Sequence, residues 1–260
     1  MTKQDALFVS HGSPMLALQD GPAHQFLKGM ERKLDGATGI LVASAHWETA
    51  GIEISTADHP ETIHDFGGFP RPLYEMRYPA PGAPDLARRA QAALAEAGLT
   101  ATLNPNRGLD HGAWVPLRLM RPTADIPVAQ ISIQPYKSPA HHLAVGAALS
   151  KLRDEGVLVL ASGSITHNLR EFRGQGPDAP AAPWAARFAA WVAEKAEAGD
   201  LDALADFEAE APEAARNHPS TEHFLPLFVA LGARSKGGAI ERLHESFTYG
   251  VLSMDVYAAH

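Results

Sequence analysis

The chain has 260 residues, 45% of them hydrophobic and 20% charged, which is the balance of a globular protein and enough length to bury one α/β core. A formal net charge of −8, without clustered lysine or arginine, excludes a general nucleic-acid surface, and no window approaches the roughly 18 consecutive apolar residues of a membrane helix. The chain contains no cysteine, so disulfides, thiol catalysis and a thiolate zinc knot are excluded as well.

Met1-Thr2-Lys3-Gln4-Asp5 lead straight into a strand with no signal-peptide core, which makes cytoplasmic residence the expectation. Short apolar runs then alternate with amphipathic stretches along nearly the whole chain. Strands are expected over 6–10, 39–45, 51–56, 100–103, 127–133, 156–162 and 239–245. Helices are expected over 22–33, 85–97, 140–153, 182–197, 202–215 and 223–232, each with apolar residues at i, i+3 and i+4. The pattern is that of a layered α/β fold in one domain covering 1–260. Residues 60–84 interrupt it with six prolines and three glycines among aromatics. A loop of that length in a compact domain is usually functional, and it reads as a wall or lid. A second connection, rich in Gly, Pro and Ala, covers 174–183.

Histidines close three of the apolar runs. His11 follows Phe8-Val9-Ser10, His46 ends Leu41-Val42-Ala43-Ser44-Ala45, and His167 comes five residues after the run Val157 to Ser162. Ligands collect at the carboxyl ends of strands in open α/β sheets, so imidazoles from three distant segments can meet there around a metal held by nitrogen and oxygen. Two further segments carry the same kind of residue. Asn104 to Trp114 is a turn-rich loop that presents Asp110 and His111 just before a helix, with Asp110 suited to capping it. His218-Pro219-Ser220-Thr221-Glu222-His223 puts one carboxylate and two imidazoles into a single turn. His64 sits in the aromatic loop, while His24, His59, His141, His142, His244 and His260 read as surface or capping residues. Neither a phosphate-binding loop nor a dinucleotide fingerprint is present, and Ala161-Ser162-Gly163-Ser164 lacks the Gly-x-Ser-x-Gly frame of a serine nucleophile.

These segments resemble a known family. Ser10-His11-Gly12-Ser13-Pro14, Ser44-Ala45-His46-Trp47, His64 to Pro70, Leu109-Asp110-His111-Gly112, Gly163 to Asn168 and His218 to His223 are similar, in order, to the DOPA-dioxygenase-type branch of the class III extradiol ring-cleavage dioxygenases. That superfamily also holds the protocatechuate 4,5-dioxygenase catalytic subunit. The resemblance implies one α/β domain around a central mixed β-sheet flanked by helices. It implies metal ligation by His11 and His46, with a third ligand from His223 or, as in the protocatechuate branch, from the carboxylate Glu222. It further implies His167 as the acid–base residue, close enough to be an additional ligand, and His111 as a substrate contact beside His64 and Phe69. Fe(II) is the expected cofactor for activity, with Zn2+ able to occupy the site in purified protein. The expected substrates are dioxygen and a catechol such as DOPA, opened to a semialdehyde acid. No nucleic-acid or membrane partner is expected, and the oligomeric state is open. A rival reading keeps the same residues as a zinc-dependent hydrolase, with His167 or Glu222 activating water. A third, a metal-binding relative without chemistry, sits poorly with His111 and His167. Arg71, Arg77, Arg107 and Lys137 are the cations available for a substrate carboxylate, and each also reads as a surface charge.

Overall fold

A computed structural model describes residues 2–260. The strands are β1 (Ala6–Ser10), β2 (Gly39–Glu48), β3 (Ile52–Ser55), β4 (Ala101–Asn104), β5 (Val128–Ile133), β6 (Val157–Gly163), β7 (Ile240–His244), β8 (Phe247–Thr248), β9 (Leu252–Ser253) and β10 (Val256–Ala259). All but the hairpin β8–β9 join one mixed sheet in the order β4-β3-β5-β2-β6-β1-β10-β7. Its centre, β5-β2-β6-β1, is parallel, so these strands deliver their carboxyl ends to one edge. β3 runs antiparallel to β5 and β10 antiparallel to β1.

The central strands are continuous apolar runs because both faces are covered, which is how a parallel sheet avoids wetting either side. Alternate residues go to opposite cores. Phe8, Leu41 and Val159 join one cluster, Val9, Val42 and Leu160 the other, each side chain contributing about 1.5–3 kcal/mol of burial. The helices are α1 (Pro22–Gly29), α2 (Arg71–Glu75), α3 (Pro84–Glu96), α4 (His111–Met120), α5 (Pro139–Asp154), α6 (Pro183–Ala198), α7 (Leu201–Ala205), α8 (Phe207–Glu210), α9 (Ala214–Asn217) and α10 (Leu225–Gly232). α3, α5 and α10, with most of α6, pack on the first face, and α1 with α4 on the second. α5 and α10 touch backbone to backbone. A Cβ on Gly146 would lie 2.1 Å from the Val229 carbonyl oxygen, and one on Gly232 would lie 2.2 Å from that of Leu143.

Several elements differ from the sequence expectation. The helix expected over 202–215 is broken at Asp206 into α7 and α8, and α8 is separated from α9 because Pro212 cannot donate within a helix and Glu213 takes a left-handed backbone at φ 60°. That expected over 22–33 ends at Gly29 and continues only as a 3-10 turn at Glu31–Leu34. α2 lies inside the proline-rich loop. The helix expected after Asp110 is α4, which runs to Met120 although it carries Gly112 and Pro116, residues of low helix propensity. β10 lies behind Ser253-Met254-Asp255, which breaks the apolar run.

Two measurements test this packing. Gly146→Ala should lose about 1–3 kcal/mol in urea unfolding because backbone stands where the methyl must go, while Gly29→Ala, with open space around it, should change stability by less than about 1 kcal/mol. His142 donates from Nδ1 to the Ser138 carbonyl and accepts the Gln134 N–H at Nε2, so burial keeps it neutral, at a pKa of about 4. The unfolded chain protonates first, near pH 6.5, so this histidine removes stability as the pH falls from about 6.5 towards about 4. The pH slope should be shallower in His142→Gln, which keeps a donor and an acceptor without titrating.

Candidate metal centre

β1 and β6 end side by side, and His11, the residue after β1, sets its Nδ1 2.9 Å from Ser162 Oγ in β6. Ser162 has a single hydroxyl proton and donates it to the carbonyl of Gly112. That carbonyl is open to an outside donor because the residue four positions on in α4 is Pro116, which has no N–H. His11 therefore donates from Nδ1, and its Nε2 is left unprotonated.

His46 is aimed by a distortion of β2. The pairing with β5 advances from Ala43 to Glu48 on one strand against only Ile131 to Ile133 on the other, so the intervening residues bulge. Ser44 Oγ, inside the bulge, donates to Asp110 Oδ1 at 2.6 Å and accepts the His46 N–H at 3.2 Å. Arg107 donates to Asp110 Oδ2 at 2.6 Å and to the His46 carbonyl at 3.1 Å. Asp110, fully buried, also caps α4 through the Ala113 N–H and accepts Gln130 Nε2 at 2.8 Å. At Gly112 a Cβ would meet Ser44 Oγ at 2.5 Å, so the helix can start against the bulge only with glycine there.

His223 enters from the turn before α10. Its carbonyl accepts the Ser164 N–H at 2.7 Å, an approach that a Cβ on Gly163, 2.2 Å from the same oxygen, would block. Glu222 accepts from its Nδ1 at 2.9 Å, which turns Nε2 inward. The three Nε2 atoms converge: His46 stands 3.0 Å from His11 and 3.3 Å from His223. Metal–nitrogen bonds of about 2.0–2.1 Å give ligand–ligand edges of about 2.8–3.4 Å between octahedral and tetrahedral angles, so this donor set fits a divalent transition ion. Burial, reinforced by the neighbouring imidazoles, holds His11 and His223 well below the usual histidine range and brings His46 down to about 4. The three are neutral at pH 7, the form that coordinates.

The imidazole of His167 lies flat on that of His223, with centroids 3.4 Å apart and planes 9° apart. Burial takes it to about 4, against the opposing charge of Glu222. His111, the first residue of α4, sets its ring 3.9 Å from His46. Its backbone N–H donates to Asp65 Oδ1 at 2.9 Å; its Nδ1 is 3.0 Å from the same oxygen but too far off line to donate. Burial raises the Asp65 carboxyl, yet His111 beside it outweighs this and the pKa falls to about 2.

His46, His111, His167 and His223 floor a cavity of about 510 Å³ whose walls include Phe66 and Phe69 of the proline-rich loop. His64 is not among the lining residues. It stands behind Phe66, its Nε2 3.1 Å from the Met76 carbonyl. Glu222 meets His223 on the side away from the other two rings. None of the four candidate cations lines the cavity: Arg71 pairs with Glu75, Arg77 donates to the carbonyls of Tyr74 and Met76, Arg107 holds Asp110, and Lys137 is exposed. The sequence reading missed Asp65 and the orienting hydrogen bond of Ser162. Pro116, one turn after Gly112, was the available signal for the second.

The described residues include no helix long and apolar enough to cross a membrane. Residues 5–257 match the family model of the catalytic LigB subunit of aromatic ring-opening dioxygenase. A Beta vulgaris protein named 4,5-DOPA dioxygenase extradiol is 43% identical over 259 residues, covering 98% of this chain and 96% of that protein. An Escherichia coli K12 protein of the same name is 40% identical, covering 97% and 93%. The crystal structure of an uncharacterized protein from Escherichia coli K12 superposes with a TM-score of 0.83 at 34% identity, covering 99% of this chain and 100% of that one. A match over nearly the whole length, on a chain whose histidines converge at the strand ends, leads to one conclusion: the chain belongs to the LigB family of aromatic ring-opening dioxygenases and is an extradiol dioxygenase.

Proposed function

We propose that this protein uses Fe(II), held by His11, His46 and His223, to open a catechol such as DOPA with both atoms of dioxygen. The observation that carries the ligand set is the meeting of three Nε2 atoms below an apolar cavity. Glu222 is left out of it because its carboxylate is committed to His223 Nδ1. Zinc is the ion expected to compete for the site, since N/O donors bind it more tightly than ferrous iron. A reducing cytoplasmic setting suits the ferrous state.

When bound, the ferrous ion supplies positive charge that favours the ionised catechol and a redox centre at which catechol and dioxygen meet. The protein's own groups do the rest. His167, neutral at pH 7, accepts a proton from a catechol hydroxyl at its exposed edge and holds it for return to an oxygen leaving group later in the reaction. Stacking on His223 fixes the plane in which that proton moves. His111, its Nδ1 without a well-aligned partner, orients the ring and its oxygens. Phe66 and Phe69 stack against the aromatic ring and keep bulk water from the reacting atoms. Asp65 steadies His111 from outside the cavity.

The test is anaerobic loading with Fe(II), then oxygen uptake and visible absorbance with L-DOPA, catechol and protocatechuate. Oxygen consumption with a new yellow product is the expected result; oxygen left untouched by every catechol in iron-loaded protein would overturn the assignment. His167→Ala should lower kcat by about 10²–10⁴-fold while iron content stays at the wild-type level, and normal turnover in that variant would remove His167 from the mechanism. Ser162→Ala should weaken metal affinity by about 10–100-fold in a chelator competition, with the fold intact by circular dichroism, because His11 loses the partner that fixes its tautomer.

A further inference from the structure

A second cavity, of about 350 Å³, lies against the first, and both are lined by Ser13 and Tyr249. The Tyr249 side chain reaches from one to the other. Its ring meets Phe172, a wall of the metal-centre cavity, edge-on with centroids 5.5 Å apart. Its hydroxyl donates at 2.7 Å to Oε1 of Gln19, which lines only the second cavity.

The backbone holds this tyrosine against its preference. It opens the loop of the β8–β9 hairpin with φ 55°, the left-handed region that bulky side chains rarely adopt, and Gly250 follows at φ 68°. The Tyr249 N–H donates to the Pro177 carbonyl at 3.1 Å and the Gly250 carbonyl accepts the Ala182 N–H at 2.7 Å, so the connection 174–183 fixes the turn. A strained aromatic held between two cavities is a place to look for function. The second cavity offers Gln19, Asp178, Ser246 and Thr248 beside Leu16 and Met254, and no lysine or arginine lines it. That set suits a neutral amide or hydroxyl followed by an apolar chain, and opposes a carboxylate.

We propose that Tyr249 is a specificity-determining residue: its ring closes the metal-centre cavity against the second one and so limits the substrate to catechols with short ring substituents. The inference rests on the ring-opening reading above. Without the ring, the second cavity becomes the subsite for a longer amide-bearing chain.

The test compares dopamine with N-acetyl-, N-butanoyl- and N-octanoyldopamine as substrates of the iron-loaded wild type, Tyr249→Gly and Tyr249→Gly/Ser246→Leu, reading kcat/KM by oxygen uptake. Calorimetric affinities for the matching N-acyltyramines, which have one hydroxyl and serve as unreactive probes, give a readout independent of turnover. From the N-acetyl to the N-octanoyl compound the wild type should lose at least about tenfold in kcat/KM and Tyr249→Gly less than about threefold, mostly through KM. Ser246→Leu, which refills the second cavity, should restore the loss. Glycine takes the left-handed backbone without strain; should that variant still fold poorly, Tyr249→Asn opens the wall with a residue that tolerates the same conformation. An identical length profile in wild type and variants, with normal dopamine turnover, overturns this inference alone. No oxygen uptake with any catechol in the wild type overturns the ring-opening reading and this inference with it.

Discussion

Imidazole nitrogens of His11 and His46 face each other across 3.0 Å, with that of His223 3.3 Å from His46. His11 Nε2 can only accept there, so either His46 Nε2 donates to it or an ion stands between the two. The arrangement holds because the outer nitrogens of His11 and His223 are engaged elsewhere, by Ser162 and Glu222, and because β2 is bent to deliver His46. A divalent ion held there would engage all three nitrogens at once. Its binding would then be coupled to the stability of the strands that lead to them, and the rest of the molecule can be understood as the framework that keeps the rings together.

Asp110 is the joint in that framework. A fully buried carboxylate is costly unless its oxygens are occupied, and here Ser44, Arg107, Gln130 and the first turn of α4 occupy them. The same carboxylate ties three strand-end segments to the helix that begins with His111. A change in any donor is felt by His46 through Ser44 or through the Arg107 contact with its carbonyl.

The parallel centre of the sheet was legible because its strands, buried on both faces, are unbroken apolar runs, and three histidines could be assigned to their ends from the same pattern. Their meeting point required long-range register, which spacing does not contain: His11 and Ser162 are far apart in the chain and adjacent only because β1 pairs with β6 in parallel. His64 shows the limit from the other direction. Its setting among aromatics suggested substrate contact, whereas its imidazole is turned to the Met76 carbonyl behind Phe66. Helix α4 was announced by its cap, Asp110, but its extent was obscured by Gly112 and Pro116, the residues needed for its approach to β2 and its open carbonyl. Local propensity was sacrificed there to the site. Tyr249 left no periodic trace, since a left-handed tyrosine in a short hairpin is a property of the turn it occupies.

The pairing of β1 with β10 carries a consequence for how the protein comes to be made. β1 leads into His11 and lies between β6 and β10, paired with residues 159–163 on one side and 256–259 on the other. The strand made first thus finds one of its neighbours only near residue 259, after every other ligand-bearing segment has been synthesised. At translation speeds of about 5–20 residues per second, the first histidine waits on the order of ten seconds or more for the edge that completes its strand. Order of synthesis then becomes order of assembly: the sheet closes around the three histidines as a late, long-range event, and a metal ion would meet a finished pocket rather than a growing chain.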